Sequence, residues 1–140
     1  MTTKDYNYAI GRRKETSAVI KLFPKGTGKF EIIIPGGIKK SLKDYFGGNI
    51  YLFENAIFPL TVLGAEHLNK FDMIAKTIGG GIAGQSDAIK LGLARSLIDY
   101  NPEFRVMLKP YGLLKRDPRI KERKKPGLKK ARKRPKRSKR

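Results

Sequence analysis

Residues 78–100 read IGGGIAGQSDAIKLGLARSLIDY, and the fold follows from this stretch. Ile89, Leu93 and Leu97 recur at every fourth residue, with Ala94 and Ile98 beside them. That spacing predicts a helix over Gln85 to Tyr100 with a broad apolar face. Gln85-Ser86-Asp87 makes its start polar, and Asp87 suits the positive end of the helix dipole. Gly79-Gly80-Gly81 breaks the chain just before it, and Phe71 to Ile78 (FDMIAKTI) reads as a strand.

Working outward, Tyr6, Tyr8 and Ile10, then Ala18, Ile20 and Leu22, fall on one parity. They predict two half-buried strand segments with Gly11-Arg12-Arg13-Lys14 between them. Pro24-Lys25-Gly26-Thr27-Gly28 is a turn signal, so Ala18–Phe23 and Lys29–Ile34 read as a hairpin. Lys39 to Phe46 puts Leu42, Tyr45 and Phe46 on one helical stripe, stopped by Gly47-Gly48. Ile50 to Leu63 is apolar with poor period, and Pro59 reads as the start of a short helix. Pro102 to Leu108 reads as another. The order predicts an α+β domain with a small sheet and helices packed on one face.

Charge divides the chain at Gly112. The stretch from there to the end, GLLKRDPRIKERKKPGLKKARKRPKRSKR, holds sixteen Lys and Arg against Asp117 and Glu122, and so carries most of the net +20. After Leu114, Ile120 and Leu128 are the only aliphatics larger than Ala. Such a segment buries too little apolar surface to offset its ordering entropy. The reading is a globular body over 1–111 and an extended basic tail over 112–140 that is disordered without RNA. Pro126, Gly127 and Pro135 break helix there, so the tail threads instead of forming one rod. A pI near 10.4 points to nucleic acid as partner, or else to an acidic protein or anionic lipid surface.

Several chemistries are poorly supplied. There are no cysteines and one histidine, His67, so no disulfide framework and no ordinary metal site is expected. No paired carboxylates suggest acid–base work, and no catalytic residue or cofactor is assigned. No run of about 20 apolar residues exists, so no membrane partner is expected. The start, MTTKDYNY, shows no targeting pattern.

The glycine stretch permits competing readings. Gly79, Gly81 and Gly84 match G-x-G-x-x-G, with Asp99 about 20 residues on, the pattern of a dinucleotide site. Gly79 to Ser86 also imitates a P-loop, but Gln85 stands where the phosphate-binding Lys is required. The remaining functional reading keeps only the physics. Glycines let backbone approach phosphate, and a helix N-terminus supplies free N–H donors. Against all three stands a plain tight turn. Likewise, Arg12, Arg13 and Lys14 read either as a phosphate clamp or as a solvated edge. A nucleotide-binding enzyme and a DNA-compacting protein are the rival functions.

Taken together, the motifs resemble the family of small-subunit ribosomal protein nine, bacterial and organellar type. The likeness rests on four blocks in order. They are Gly11–Lys14; Gly79–Gln85 continuing through Ala88-Ile89, Gly92 and Arg95; Arg116-Asp117-Pro118-Arg119 with Glu122 to Arg132; and Ser138-Lys139-Arg140. The resemblance implies a ribosomal S5 domain 2-like fold and a place in the small-subunit head, on the major 3′ domain of its rRNA. It implies small-subunit proteins seven, ten and fourteen as neighbours. It also implies that the tail reaches the anticodon stem-loop of the P-site tRNA. The expected rRNA-binding residues are Arg12, Arg13, Lys14, Gly79, Gly80, Gly81, Gly84, Gln85, Arg116, Arg119, Arg123, Lys124, Lys125, Lys129, Lys130, Arg132, Lys133 and Arg134. Ser138, Lys139 and Arg140 are expected at the tRNA. Lys136-Arg137 departs from the family's usual Gln and aromatic pair, and Asp87 from a small neutral residue. The expected setting is a ribosome in a bacterial cytoplasm or in an organelle that encodes the chain.

Overall fold

The computed structural model describes residues 5–139. Among these, five strands make one sheet: β1 (Asn7–Arg13), β2 (Thr16–Phe23), β3 (Phe30–Ile33), β4 (Lys39–Ser41) and β5 (Asp72–Ile78). The helices are α1 (Leu42–Tyr45), α2 (Ile50–Leu63), α3 (Ala65–Leu68), α4 (Ile82–Tyr100) and α5 (Phe104–Leu108). The spatial order is β1-β2-β5-β3-β4, antiparallel throughout except for β3 alongside β5. α4 lies across β1 and β2, and α2 packs against α4. This is the expected α+β architecture, with the sheet covered by helices and an S5 domain 2-like arrangement.

The core forms where alternation on the strands meets the apolar face of α4. Ala18, Ile20 and Leu22 of β2 and Met73 and Ala75 of β5 are fully buried. They meet Ala88, Ile89, Leu93, Ala94 and Leu97 of α4. Leu52, Ala56, Leu60 and Leu63 of α2 close the other side. Each large aliphatic among them contributes roughly 1.5–3 kcal/mol on burial.

Five local expectations are corrected. First, β2 and β3 do not form a hairpin: β5 inserts between them and pairs with both. The chain does turn at 24–28, but Thr27 and Lys29 donate their backbone N–H groups to Asp72, at the start of β5. Second, Gly11-Arg12-Arg13 is not a connection but the end of β1; only Lys14 and Glu15 turn the chain, with Lys14 at φ 50°. Third, Ile50 to Leu63 is one helix, begun by Asn49, whose side chain accepts from the Leu52 N–H at 3.3 Å. Pro59 sits inside it, buried, where its ring contributes apolar packing. Fourth, α4 begins at Ile82, so Asp87 lies beyond the first turn and caps nothing.

Fifth, the face of β1 is the reverse of the tyrosine parity. Tyr8 is exposed, and Gly11 is buried against α4. A Cβ at Gly11 would lie 1.8 Å from the Ala88 carbonyl oxygen and 2.5 Å from the Gly92 nitrogen. Strand and helix therefore touch backbone to backbone at Gly11 and Gly92, and only glycine allows it. Arg95 reinforces the seam, donating to the Ile10 carbonyl at 2.9 Å.

Candidate nucleic-acid interface

The β1–β2 turn and the glycine turn before α4 share one end of the molecule. Gly79 and Gly80 take φ 74° and 67°, conformations that glycine alone adopts freely. A Cβ at Gly80 would fall 1.9 Å from Thr16 Oγ1, and one at Gly79 would fall 2.8 Å from the Glu15 carbonyl. Thr16 Oγ1 and Gln85 Nε2 both donate to the Gly79 carbonyl, each at 3.2 Å. The Gln85 oxygen in turn accepts from the Tyr45 hydroxyl.

This geometry excludes the nucleotide readings. The side of Gly79 and Gly80 on which a Cβ would project is filled by β2 and its turn, so packing within the chain accounts for these glycines. The sheet around β5 is antiparallel on one side, and no strand follows α4 among the described residues. What remains is exposed backbone at Gly79, Gly80 and Gly81. Beside it are the first amides of α4, on the exposed residues Ile82 and Ala83, which have no intrahelical carbonyl to bond. Gly84 is buried toward Thr16 and Gln85 is half-buried, so both hold the turn in shape rather than face outward.

The three cations of the first block separate. Arg12 and Lys14 sit apart from Arg13: Arg12 is exposed, and Lys14 stands at the turn. Arg13 turns inward, its side chain only 13% exposed. Its Nε pairs with Asp87 at 3.3 Å and its Nη2 with Asp117 at 3.2 Å. Its Nη1 donates to the carbonyls of Arg119 at 2.6 Å and Asp117 at 3.4 Å. Asp87 also binds Lys90 Nζ at 3.2 Å and Asn55 Nδ2 at 3.0 Å. Asn55 continues to Ser86 Oγ at 2.8 Å, and that buried hydroxyl donates to the Leu52 carbonyl. One polar chain thus ties β1, α2, α4 and the root of the tail.

The acids respond to this setting. Burial pushes the Asp87 carboxyl up. The hydrogen bond from Asn55, the charge and bond of Lys90 and the bond from Arg13 outweigh it, and the net shift is down. Asp117 is held well below the usual carboxylate range. Hydrogen bonds from the Arg119 side chain and backbone N–H are the main cause, aided by the charges of Arg119 and Arg13. Sequence reasoning placed Asp87 only at the helix start, and missed Asn55, Lys90 and Thr16 as parts of this end. Apart from the Asp87–Lys90 pair, three residues apart on α4, their partners lie 31–74 residues away, where no local pattern marks them.

Beyond Lys115 the described tail has neither helix nor strand. Arg116 and Arg119 flank the Arg13 contact, both on the outside. Arg123, Lys124, Lys125, Lys129, Lys130, Arg132, Lys133 and Arg134 are all exposed as well. Glu122 holds Lys125 at 2.6 Å and Arg132 at 2.8 Å, and Lys129 N–H donates to the Lys133 carbonyl at 2.8 Å. Ser138 and Lys139 are exposed; Arg140 lies outside the described residues. The glycine turn and the tail root, distant in sequence, therefore each meet the end of β1 and its turn, and the basic run departs from there.

Comparison with known proteins finds relatives along nearly the whole chain. The family described as ribosomal protein S9/S16 matches residues 11–140. Small ribosomal subunit protein uS9c of Emiliania huxleyi is 48% identical over 140 residues, covering 100% of both chains. Small ribosomal subunit protein uS9 of Thermotoga petrophila is 47% identical over 133 residues, 95% of each chain. That of Methylacidiphilum infernorum is 48% identical over 126 residues, 90% of this chain and 86% of its own. A basic, irregular tail rooted on a small α+β body, matched along nearly its whole length, leaves one assignment: the chain belongs to the ribosomal protein S9/S16 family, structural RNA-binding components of the small ribosomal subunit and not enzymes.

Proposed function

We propose that the body docks on the major 3′ domain of small-subunit rRNA while the tail threads through that RNA to the P-site tRNA. The setting is the ribosome of a bacterial cytoplasm or of an organelle, as for the bacterial and uS9c relatives. The observation that carries the reading is the separation of charge. Sixteen cations lie in the segment 112–140, and the described ones are presented without regular structure. Lys gives point charges and Arg gives planar forks, which suits irregular phosphate surfaces.

On the body, Arg12 and Lys14 meet phosphate, and the backbone of Gly79–Gly81 adds N–H donors. Phosphate contacts position without reading sequence, so specificity comes from RNA shape. Small-subunit proteins seven, ten and fourteen are the proposed neighbours. At the far end, Ser138, Lys139 and Arg140 meet the anticodon stem-loop of the P-site tRNA.

The test is a deletion of Ser138–Arg140 in otherwise intact small subunits. The body's thermal unfolding stays unchanged. Affinity for P-site tRNA falls about tenfold or more, as expected from losing one or two charged hydrogen bonds. Unaltered tRNA affinity would remove the tail end from the decoding site.

A further inference from the structure

We propose that Arg13 and Asp117 are a positioning pair that fixes where the tail leaves the body, so that the RNA-seeking segment begins at Arg119 and not at Gly112. Arg13 looks in sequence like its neighbours Arg12 and Lys14, a cation offered to phosphate. Its geometry is different. Its guanidinium makes four contacts within the chain: one to Asp87, two to tail carbonyls and one to the Asp117 carboxylate. A guanidinium has only five N–H donors, so little of it is left for RNA.

The tail side is equally prepared. Asp117 and Glu122 are the only acids in the segment 112–140, and a carboxylate there opposes phosphate. Asp117 is held in a closed turn, its Oδ1 accepting from the Arg119 backbone N–H at 2.9 Å while Arg119 Nη2 meets Oδ2 at 2.8 Å. That turn presents the carbonyls of Asp117 and Arg119 to Arg13. Apolar packing leads into it: Leu113 is buried in the core and Leu114 packs against it. From Leu108 through Arg119 the chain is thus pinned first by burial and then by the Arg13 fork. Exposure separates the two ends of the device. The Arg13 side chain is 13% exposed, whereas that of Arg119, which closes the turn from outside, is 85% exposed. Arg119 therefore remains available to phosphate, and Arg13 serves as the anchor. Burial also protects the Arg13 contacts from salt that would screen a surface pair.

This rests on the tail reading above, but its test needs no RNA, so the two fail separately. The chain has no cysteine. Spin labels at Lys76→Cys on β5 and Lys121→Cys in the tail therefore report one distance in the isolated full-length chain. The native pair of contacts gives a single narrow distance distribution that persists in high salt. Asp117→Ala, which leaves the body's own residues intact, loses the narrow peak; Arg13→Gln does the same, and Arg13→Lys, which keeps charge without the fork, restores it only in part. Arg12→Gln leaves it unchanged. A broad distribution in the otherwise native chain, or a narrow one that survives Asp117→Ala, overturns the proposal. Circular dichroism of each variant reports that the body is folded.

Discussion

The body and the tail keep their shapes by opposite means. From β1 to Leu113 the chain is held by burial so close that strand and helix backbones touch at Gly11 and Gly92. From Lys115 onward there is no core, and order among the described residues comes largely from two carboxylates, Asp117 and Glu122, each holding cations around it. One region is specified by what it excludes, the other by what it attracts. Burial gives a fixed surface before any partner arrives; on the proposed function, charge gives a segment whose final course is set by the RNA around it.

The contrast can be broken most forcefully with salt. If the tail meets about 6–10 phosphates, affinity of the full chain for its rRNA domain falls roughly 10³–10⁵-fold between about 50 and 200 mM salt. A chain ending at Lys115 shows a much shallower slope, since only those of the body's sixteen cations that touch RNA, such as Arg12 and Lys14, release counterions. Equal slopes, measured by filter binding, would move the electrostatic contact from the tail to the body.

The next largest effect belongs to the seam. Gly11→Val forces a branched side chain into the Ala88 and Gly92 backbone, where even one Cβ does not fit. Overpacking against backbone costs about 3 kcal/mol or more here, because neither partner is a side chain that can turn away. Urea unfolding of the variant checks this. A loss well under about 1 kcal/mol would mean that β1 can lift from α4, and the body would be less rigid than the comparison with the tail requires.

That seam also shows where sequence stops being legible. The apolar period of α4 was readable because leucine and isoleucine repeat on one face, and burial bears it out. The inward face of β1 was not, because Ala9, Gly11 and Arg13 carry no strong hydrophobic signal, while Tyr8 and Ile10 on the other parity do. Residues chosen for lack of volume are invisible to a pattern of apolar alternation. The β2–β3 pairing failed for another reason. The competitor, β5, follows only after β4 and three helices, and local turn chemistry says nothing of it. The charge of the tail was legible at once. That Arg13 faces inward was not, since its contacts at Asp87 and Asp117 lie 74 and 104 residues away. Composition thus revealed what kind of partner the chain binds, but only packing separated cations that face outward, such as Arg12, from those that hold the chain together, such as Arg13 and Arg95.

A smaller effect sharpens the comparison at the glycine turn. Thr16 is 2% exposed, and its hydroxyl bonds the Gly79 carbonyl. Thr16→Val keeps the shape and removes the donor, leaving Gln85 as the carbonyl's partner. The expected cost is about 1 kcal/mol. RNA affinity should drop only if the backbone of Gly79–Gly81 contacts phosphate, so paired measurements of stability and binding separate a structural turn from a docking one.

The smallest effect concerns acid. Asp87 has its folded pKa below its unfolded value, so it binds fewer protons folded than unfolded as pH falls through the carboxylate range. Its contribution is therefore fully present above the unfolded value of about 4 and is lost as pH drops through the folded one. The Asp87→Asn variant removes that contribution at every pH. Stability curves of the two chains should lie apart at neutral pH, by no more than about 1 kcal/mol after allowance for solvent around a carboxylate that is a third exposed, and should converge below about pH 4. The gap is small, but its direction discriminates. A gap that widened in acid would mean that Asp87 is held protonated, and the polar chain from Asn55 to Arg13 would then be joined through a neutral hydrogen bond instead of an ion pair. In that case Arg13 would be tied to the body through a neutral carboxyl and to the tail through its ion pair with Asp117, and the division between burial and charge would run through Arg13 itself.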